Sequence, residues 1–177
     1  MAVQMKYGVE DVARYVLLAS DKANHPASNL RLQKLLYFID GYYMAMHQGK
    51  SDLFREDFLA WTYGPVVRQA YTLFVNNGAD KIPENDYTTK VTARFDDSNK
   101  RIVFDSSPWE PNMIENNDKL FIDKLVSLLG RYNDSALVDI SHDPKGPWKK
   151  YYDGYSSSVI PKKEIYEYFR CLLGDKQ

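Results

Sequence analysis

Thiol chemistry is nearly absent from this sequence. Cys171 is its only cysteine, which excludes a disulfide within the chain and any metal site built from several thiolates, and it makes a reducing, cytoplasmic setting the expected one. Histidine is scarce too: His25, His47 and His142 lie far apart, and no HExxH-type spacing occurs. The nine glycines form no GxGxxG or GxxxxGK[ST] run, so the usual phosphate-cradling loops are missing. Nor is there an excess of positive charge. Lys and Arg total 23 against 24 Asp and Glu, and a net charge of -1 lacks the surplus that phosphate neutralisation requires. No zinc-finger spacing, RRM aromatic motif or basic-region heptad is present. Long apolar runs are absent as well; "MAVQMKYGVEDVARYVLLAS" places acidic residues where a signal peptide would be uninterrupted, so neither export nor membrane insertion is expected.

What remains is an ordinary globular composition, 44% hydrophobic and 27% charged over 177 residues, enough for one buried core and one domain spanning 1–177. Aromatics are the excess: 14 Tyr, 8 Phe and 3 Trp. A domain of this size does not easily hide every tyrosine hydroxyl, so part of this excess is expected on a protein-binding face, with Trp109, Tyr151 and Tyr152 as loop candidates.

The apolar spacing predicts a first helix over residues 9–23, with Val12, Tyr15, Val16 and Ala19 on one face. Ser28 or Asn29 then caps a second helix, about 30–48, whose stripe of Leu32, Leu35, Leu36, Ile39, Tyr43 and Met46 is widened by Tyr37, Phe38, Tyr42 and Met44. A helix apolar around most of its circumference belongs in the middle of the domain, and Gly49 is placed to end it. Pro65 fits the first position of a third helix running to Gly78, with Val67, Ala70, Tyr71 and Phe74 on its stripe. Residues 87–105 alternate around the turn chemistry of "DDSNK" and predict a β-hairpin. Helices follow with Phe121, Leu125, Leu128 and Leu129, then from about Ser135 to His142 capped by Asn133 or Asp134, then from Pro161 with Ile165, Tyr168, Phe169 and Leu172. The expected fold is therefore mainly α: a compact multi-helix domain around the central helix, with one small inserted hairpin.

Few groups suggest chemistry. His142 sits three residues from Asp139 and beside Asp143, which would permit an acid–base pair in a small hydrolase, but no obvious nucleophile accompanies it. Cys171 is expected to be a buried structural thiol. A helix start at "YGPVV" could accept an acidic group, although a rigid turn packed by Tyr63 and Trp61 is the simpler reading. "RLQK" supplies only two positive charges to a helix-turn-helix, so nucleic acid is not the expected partner.

Three stretches then carry more information together: "LRLQKLLYFIDGYYMA", "LFREDFLAWTYGPVVRQAY" and "ALVDISHDPKGPW". In this order they resemble the Panacea domain, the SocA-like antitoxin domain of bacteria and phage genomes. The first matches LQKLLYF through Gln33, Lys34, Leu35, Leu36, Tyr37 and Phe38. The second matches AWxYGPV through Ala60, Trp61, Tyr63, Gly64, Pro65 and Val66. The third matches through Leu137, Ser141, His142, Pro147 and Trp148, with Ser141 in place of the usual threonine. The resemblance covers about 12–78 and 118–150.

It implies an antitoxin without enzymatic activity: a cytoplasmic protein that binds a toxin encoded beside it and holds it inactive, either by masking its active surface or by delivering it to a cellular protease. No catalytic, cofactor or metal residue is expected. The residues it marks as partner-binding or fold-defining are Gln33, Lys34, Tyr37, Trp61, Tyr63, Gly64, Pro65, His142 and Trp148. The alternatives are a DNA-binding transcriptional autoregulator and a small hydrolase using His142 with Asp139 or Asp143.

Overall fold

The computed structural model describes residues 4–155 and 158–174. A short strand β1 (Gln4–Tyr7) leads into α1 (Val9–Lys22), where Val12, Tyr15, Val16 and Ala19 are all buried. Ser28 then caps α2 (Asn29–Met46), its hydroxyl accepting from the Arg31 amide at 3.2 Å. Strands β2 (Ser51–Phe54), β3 (Phe58–Trp61) and β4 (Gly64–Val66) follow, then α3 (Arg68–Leu73) and α4 (Glu84–Thr88). The hairpin is β5 (Thr89–Asp96) and β6 (Arg101–Pro108). The remaining elements are α5 (Asn116–Leu129), α6 (Asp134–Ser141) with Asn133 as its cap, α7 (Pro147–Tyr151), β7 (Val159–Ile160) and α8 (Lys162–Leu172).

The expectation of a mainly α domain with one hairpin does not hold. Seven strands in three sheets make the described residues a mixed α/β structure: β1 pairs with β2 in parallel, β3 lies between β4 and β7, and β5 pairs with β6. The missed strands are two to four residues long, and β2 is buried at every position, so neither length nor alternation marks them. Pro65 belongs to β4 and not to the start of a helix. As an edge strand β4 pairs only with β3, and an edge tolerates the missing N–H of proline. The helix expected from Pro65 begins three residues later and stops at Leu73, followed by a 3-10 turn over Val75–Asn77.

α2 is the hub. Fifteen of its 18 residues are buried, so it has no solvent face and its polar side chains need protein partners. Tyr37, Phe38 and Tyr42 meet Phe169 of α8 edge-on, with centroids 4.8–6.2 Å apart, and Tyr37 also meets Phe58 of β3. Gly41 makes this crossing possible, because a Cβ there would lie 2.3 Å from the Phe169 ring. Asp40, fully buried, accepts from the Leu53 amide at 2.9 Å and from Lys162 Nζ at 2.9 Å, joining α2 to β2 and α8. Burial pushes the Asp40 carboxyl above its ordinary range, against the pull of Lys162.

Some stripe positions differ from expectation. Met46, Leu128 and Leu172 are exposed, near helix ends where the stripe runs past the core. On α5 the residues most deeply packed are Ile122 and Val126. Substituting Gly41→Ala should cost about 1–3 kcal/mol by overpacking the α2–α8 crossing, although alanine is the better helix former. Gly8→Ala, where a Cβ meets nothing within 4 Å, is the matched control. Urea unfolding of both variants checks this; equal stability would remove the close approach from the account.

Candidate functional site

The residues that build the site start on the first two turns of α2. Asn29 Nδ2 donates to the Tyr71 carbonyl at 2.9 Å, and Asn29 Oδ1 accepts from Gln33 Nε2 at 3.1 Å. Gln33 Oε1 in turn accepts from the Val67 amide at 2.9 Å. One turn of helix thereby holds both Val67, the residue between β4 and α3, and the Tyr71 carbonyl within α3. Next to it, Lys34 Nζ donates to the Pro65 carbonyl at 2.9 Å.

Lys34 is fully buried, and among the described residues no carboxylate lies within ion-pair distance of it. Burial without a counter-charge pushes its amine down to about 7 from an ordinary value of 10.5. Gly64 covers it with φ +100°, a conformation that disfavours any side chain. A Cβ at Gly64 would sit 2.4 Å from Lys34 Nζ and 2.6 Å from Ser141 Oγ, so glycine is required twice over.

The third motif closes the site from α6 and α7. Trp148 Nε1 donates to the Trp61 carbonyl at 2.8 Å. The His142 ring stacks on Trp148 with centroids 3.6 Å apart and planes 6° from parallel, and Trp148 stacks on Tyr152 at 4.7 Å. Tyr152 reaches Thr62 Oγ1 at 3.5 Å, and Trp61 meets Tyr71 edge-on at 4.9 Å. At the top of this framework Tyr63 is 67% exposed.

The marked residues thus separate into two kinds. Gln33, Lys34, Gly64, Pro65 and Trp148 are buried and hold the turn, with Trp61 and His142 half-buried at its flank. Tyr37 lies one turn beyond Lys34 and packs into the aromatic core instead. Tyr63 is the one of the nine that is mostly exposed. Sequence reasoning placed Asn29 as a cap and Tyr71 on a core stripe but gave neither a role at the site, and Tyr152, expected on a protein-binding face, is half-buried against Trp148. A polar residue one turn before Gln33 on an otherwise apolar helix was the available signal for Asn29.

The geometry also tests the alternatives. Asp143 accepts from Tyr168 at 2.8 Å and from the Lys145 amide at 2.9 Å, not from His142. Burial first, and the nearby Lys34 charge second, lower the His142 pKa. Arg31 and Lys34, the two charges of "RLQK", are both buried, and Arg31 is paired with Asp134 at 2.8 Å. Cys171 is exposed, against expectation, because its position on α8 faces a groove of about 640 Å³ beside Pro144, Pro147 and Tyr168 rather than the core.

A family described as "Antitoxin SocA-like, Panacea domain" matches residues 32–149. Among curated proteins, Antitoxin SocA of Caulobacter vibrioides (strain NA1000 / CB15N) is 31% identical over 137 residues, covering 77% of this chain and 66% of that protein. The chain therefore spans just under two thirds of that relative's length. No solved structure matches.

Lys34 gives the fold a pH dependence whose sign is fixed. Between about pH 7 and 10.5 the unfolded lysine holds a proton that the folded one has released, so stability rises with pH across that window. The contribution is fully present above 10.5 and is lost as pH falls towards 7. Denaturant unfolding at pH 7, 8 and 9 should show this upward slope, measured against Lys34→Met, in which it should be absent; parallel slopes in the two proteins would contradict it. Gly64→Ala should cost about 1–3 kcal/mol through its left-handed backbone and the contacts beneath it.

Proposed function

The chain belongs to the SocA-like antitoxin, or Panacea domain, family, and from this membership we propose that it is an antitoxin which neutralises a cognate protein toxin by direct binding. The Tyr63 turn carries this reading. A large amphipathic side chain stands exposed on a backbone held from below by Gln33 and Lys34 and from the side by Trp148. A rigid aromatic anchor of this kind loses little entropy on binding, which suits recognition of a protein surface.

The mechanism is stoichiometric masking, with the antitoxin covering the toxin's active surface through an interface of about 1,600 Å² in total. In the adaptor form of the same mechanism, the bound toxin is handed to a cellular protease. The partner is a protein encoded beside this one, and the chain acts in the cytoplasm as one domain without catalysis. Among the described residues no helix is long and apolar enough to cross a membrane. The stacked His142, turned to Trp148 and not to a carboxylate, disfavours the hydrolase, and the buried Arg31 and Lys34 disfavour a phosphate-binding autoregulator.

Expression of the adjacent gene product should arrest growth, and co-expression of this chain should relieve the arrest in a complex that co-purifies. Tyr63→Ala should weaken that complex by about tenfold or more while leaving the melting temperature unchanged. A harmless neighbour that forms no complex would overturn the antitoxin reading. Unaltered affinity in Tyr63→Ala would overturn only the choice of surface.

A further inference from the structure

The β5–β6 hairpin is anchored at its base and bare beyond it. Arg14 Nη1 donates to the carbonyls of Tyr87 and Thr89 at 2.9 Å, and Asp11 accepts from Lys90 and from the Trp109 indole at 2.8 Å each. Outside this root the two strands have only each other as sheet partners.

Directly opposed residues of an antiparallel pair share a face, and the register sets Ala93 against Phe104 and Phe95 against Ile102, with Val91 two positions along. These five residues form one uncharged apolar face, with Val91, Phe95, Ile102 and Phe104 between 57% and 71% exposed. The opposite face carries the charges, including the Arg94–Asp105 pair at 2.6 Å. A two-stranded sheet is marginal in water unless its apolar face is covered.

We infer that this face is a self-association surface, on which the same face of a second copy packs to form a two-layer sandwich. Three observations favour a second copy over another occupant. With aromatic side chains covering about 150–250 Å² each, the face presents on the order of 500 Å², and two such faces together reach the roughly 1,000 Å² that a specific interface requires. Stacked sheets lie about 10 Å apart, which the interdigitating Phe and Ile side chains fill. The contact has no charge within it, and the tip carries Asp96 and Asp97 against Lys100 and Arg101, so a twofold arrangement brings no excess of like charge together. The inference does not depend on the toxin-binding reading.

Sedimentation equilibrium of the full chain, from low to high micromolar concentration, tests it without any toxin. The wild type should pass from one chain to two. Phe104→Lys keeps an exposed strand position but sets two ammonium groups in the contact, and should weaken dimerisation at least about tenfold. Val103→Thr, on the other face, should dimerise as the wild type does. Circular dichroism checks that both variants remain folded. A wild type that stays a single chain at every concentration overturns the inference, as does a Phe104→Lys variant that dimerises unchanged. A monomeric wild type whose Phe104→Lys variant loses toxin binding would also overturn it, giving the face to the toxin instead.

Discussion

A helix buried along all but its last turn must find protein partners for the charged and amide side chains it carries, and α2 carries five: Asn29, Arg31, Gln33, Lys34 and Asp40. Asn29 holds the Tyr71 carbonyl of α3 and Gln33 the Val67 amide between β4 and α3; Arg31 holds Asp134 and the carbonyls of Leu129 and Tyr132; Lys34 holds the Pro65 carbonyl; Asp40 holds β2 and Lys162. Each such bond adds only about 0.5–1.5 kcal/mol net, whereas a buried polar group left bare costs about 1–3 kcal/mol. The apolar stripes hold the elements against α2, and the polar residues decide where along it each one sits.

This division of labour explains the shape of the site. Gln33 and Lys34 bond to backbone groups, the Val67 amide and the Pro65 carbonyl. Lys34 lies beneath Gly64 with one carbonyl partner, and the turn above it presents Tyr63. The three-ring stack of His142, Trp148 and Tyr152 supports the same turn from the other side. Residues far apart in the chain therefore converge on one exposed tyrosine.

Long elements were legible in the sequence because their periodicity is long. The Ser28 and Asn133 caps and the α1 face are as expected; the α2 span, the hairpin and the start of α8 are present but shifted by one to three residues, with residues 87–88 in α4 and Pro161 capping α8 instead of opening it. The short strands were not legible, since four buried residues such as "SDLF" show no alternation, and a proline that suits a helix start also suits an edge strand. Motif membership marked the right neighbourhood at the site, but side-chain type alone does not separate Tyr37, which packs into the core, from Tyr63, which faces solvent.

Amide hydrogen exchange measured residue by residue tests the role of α2 most directly. The Val67 and Leu53 amides are bonded to side chains of α2, at Gln33 Oε1 and Asp40 Oδ1. If those side chains fix the surrounding elements, both amides exchange only on global unfolding, at the rate of the α2 backbone itself. Fast exchange at Val67 and Leu53 with α2 still protected would show that apolar packing alone positions the turn, and would contradict this account.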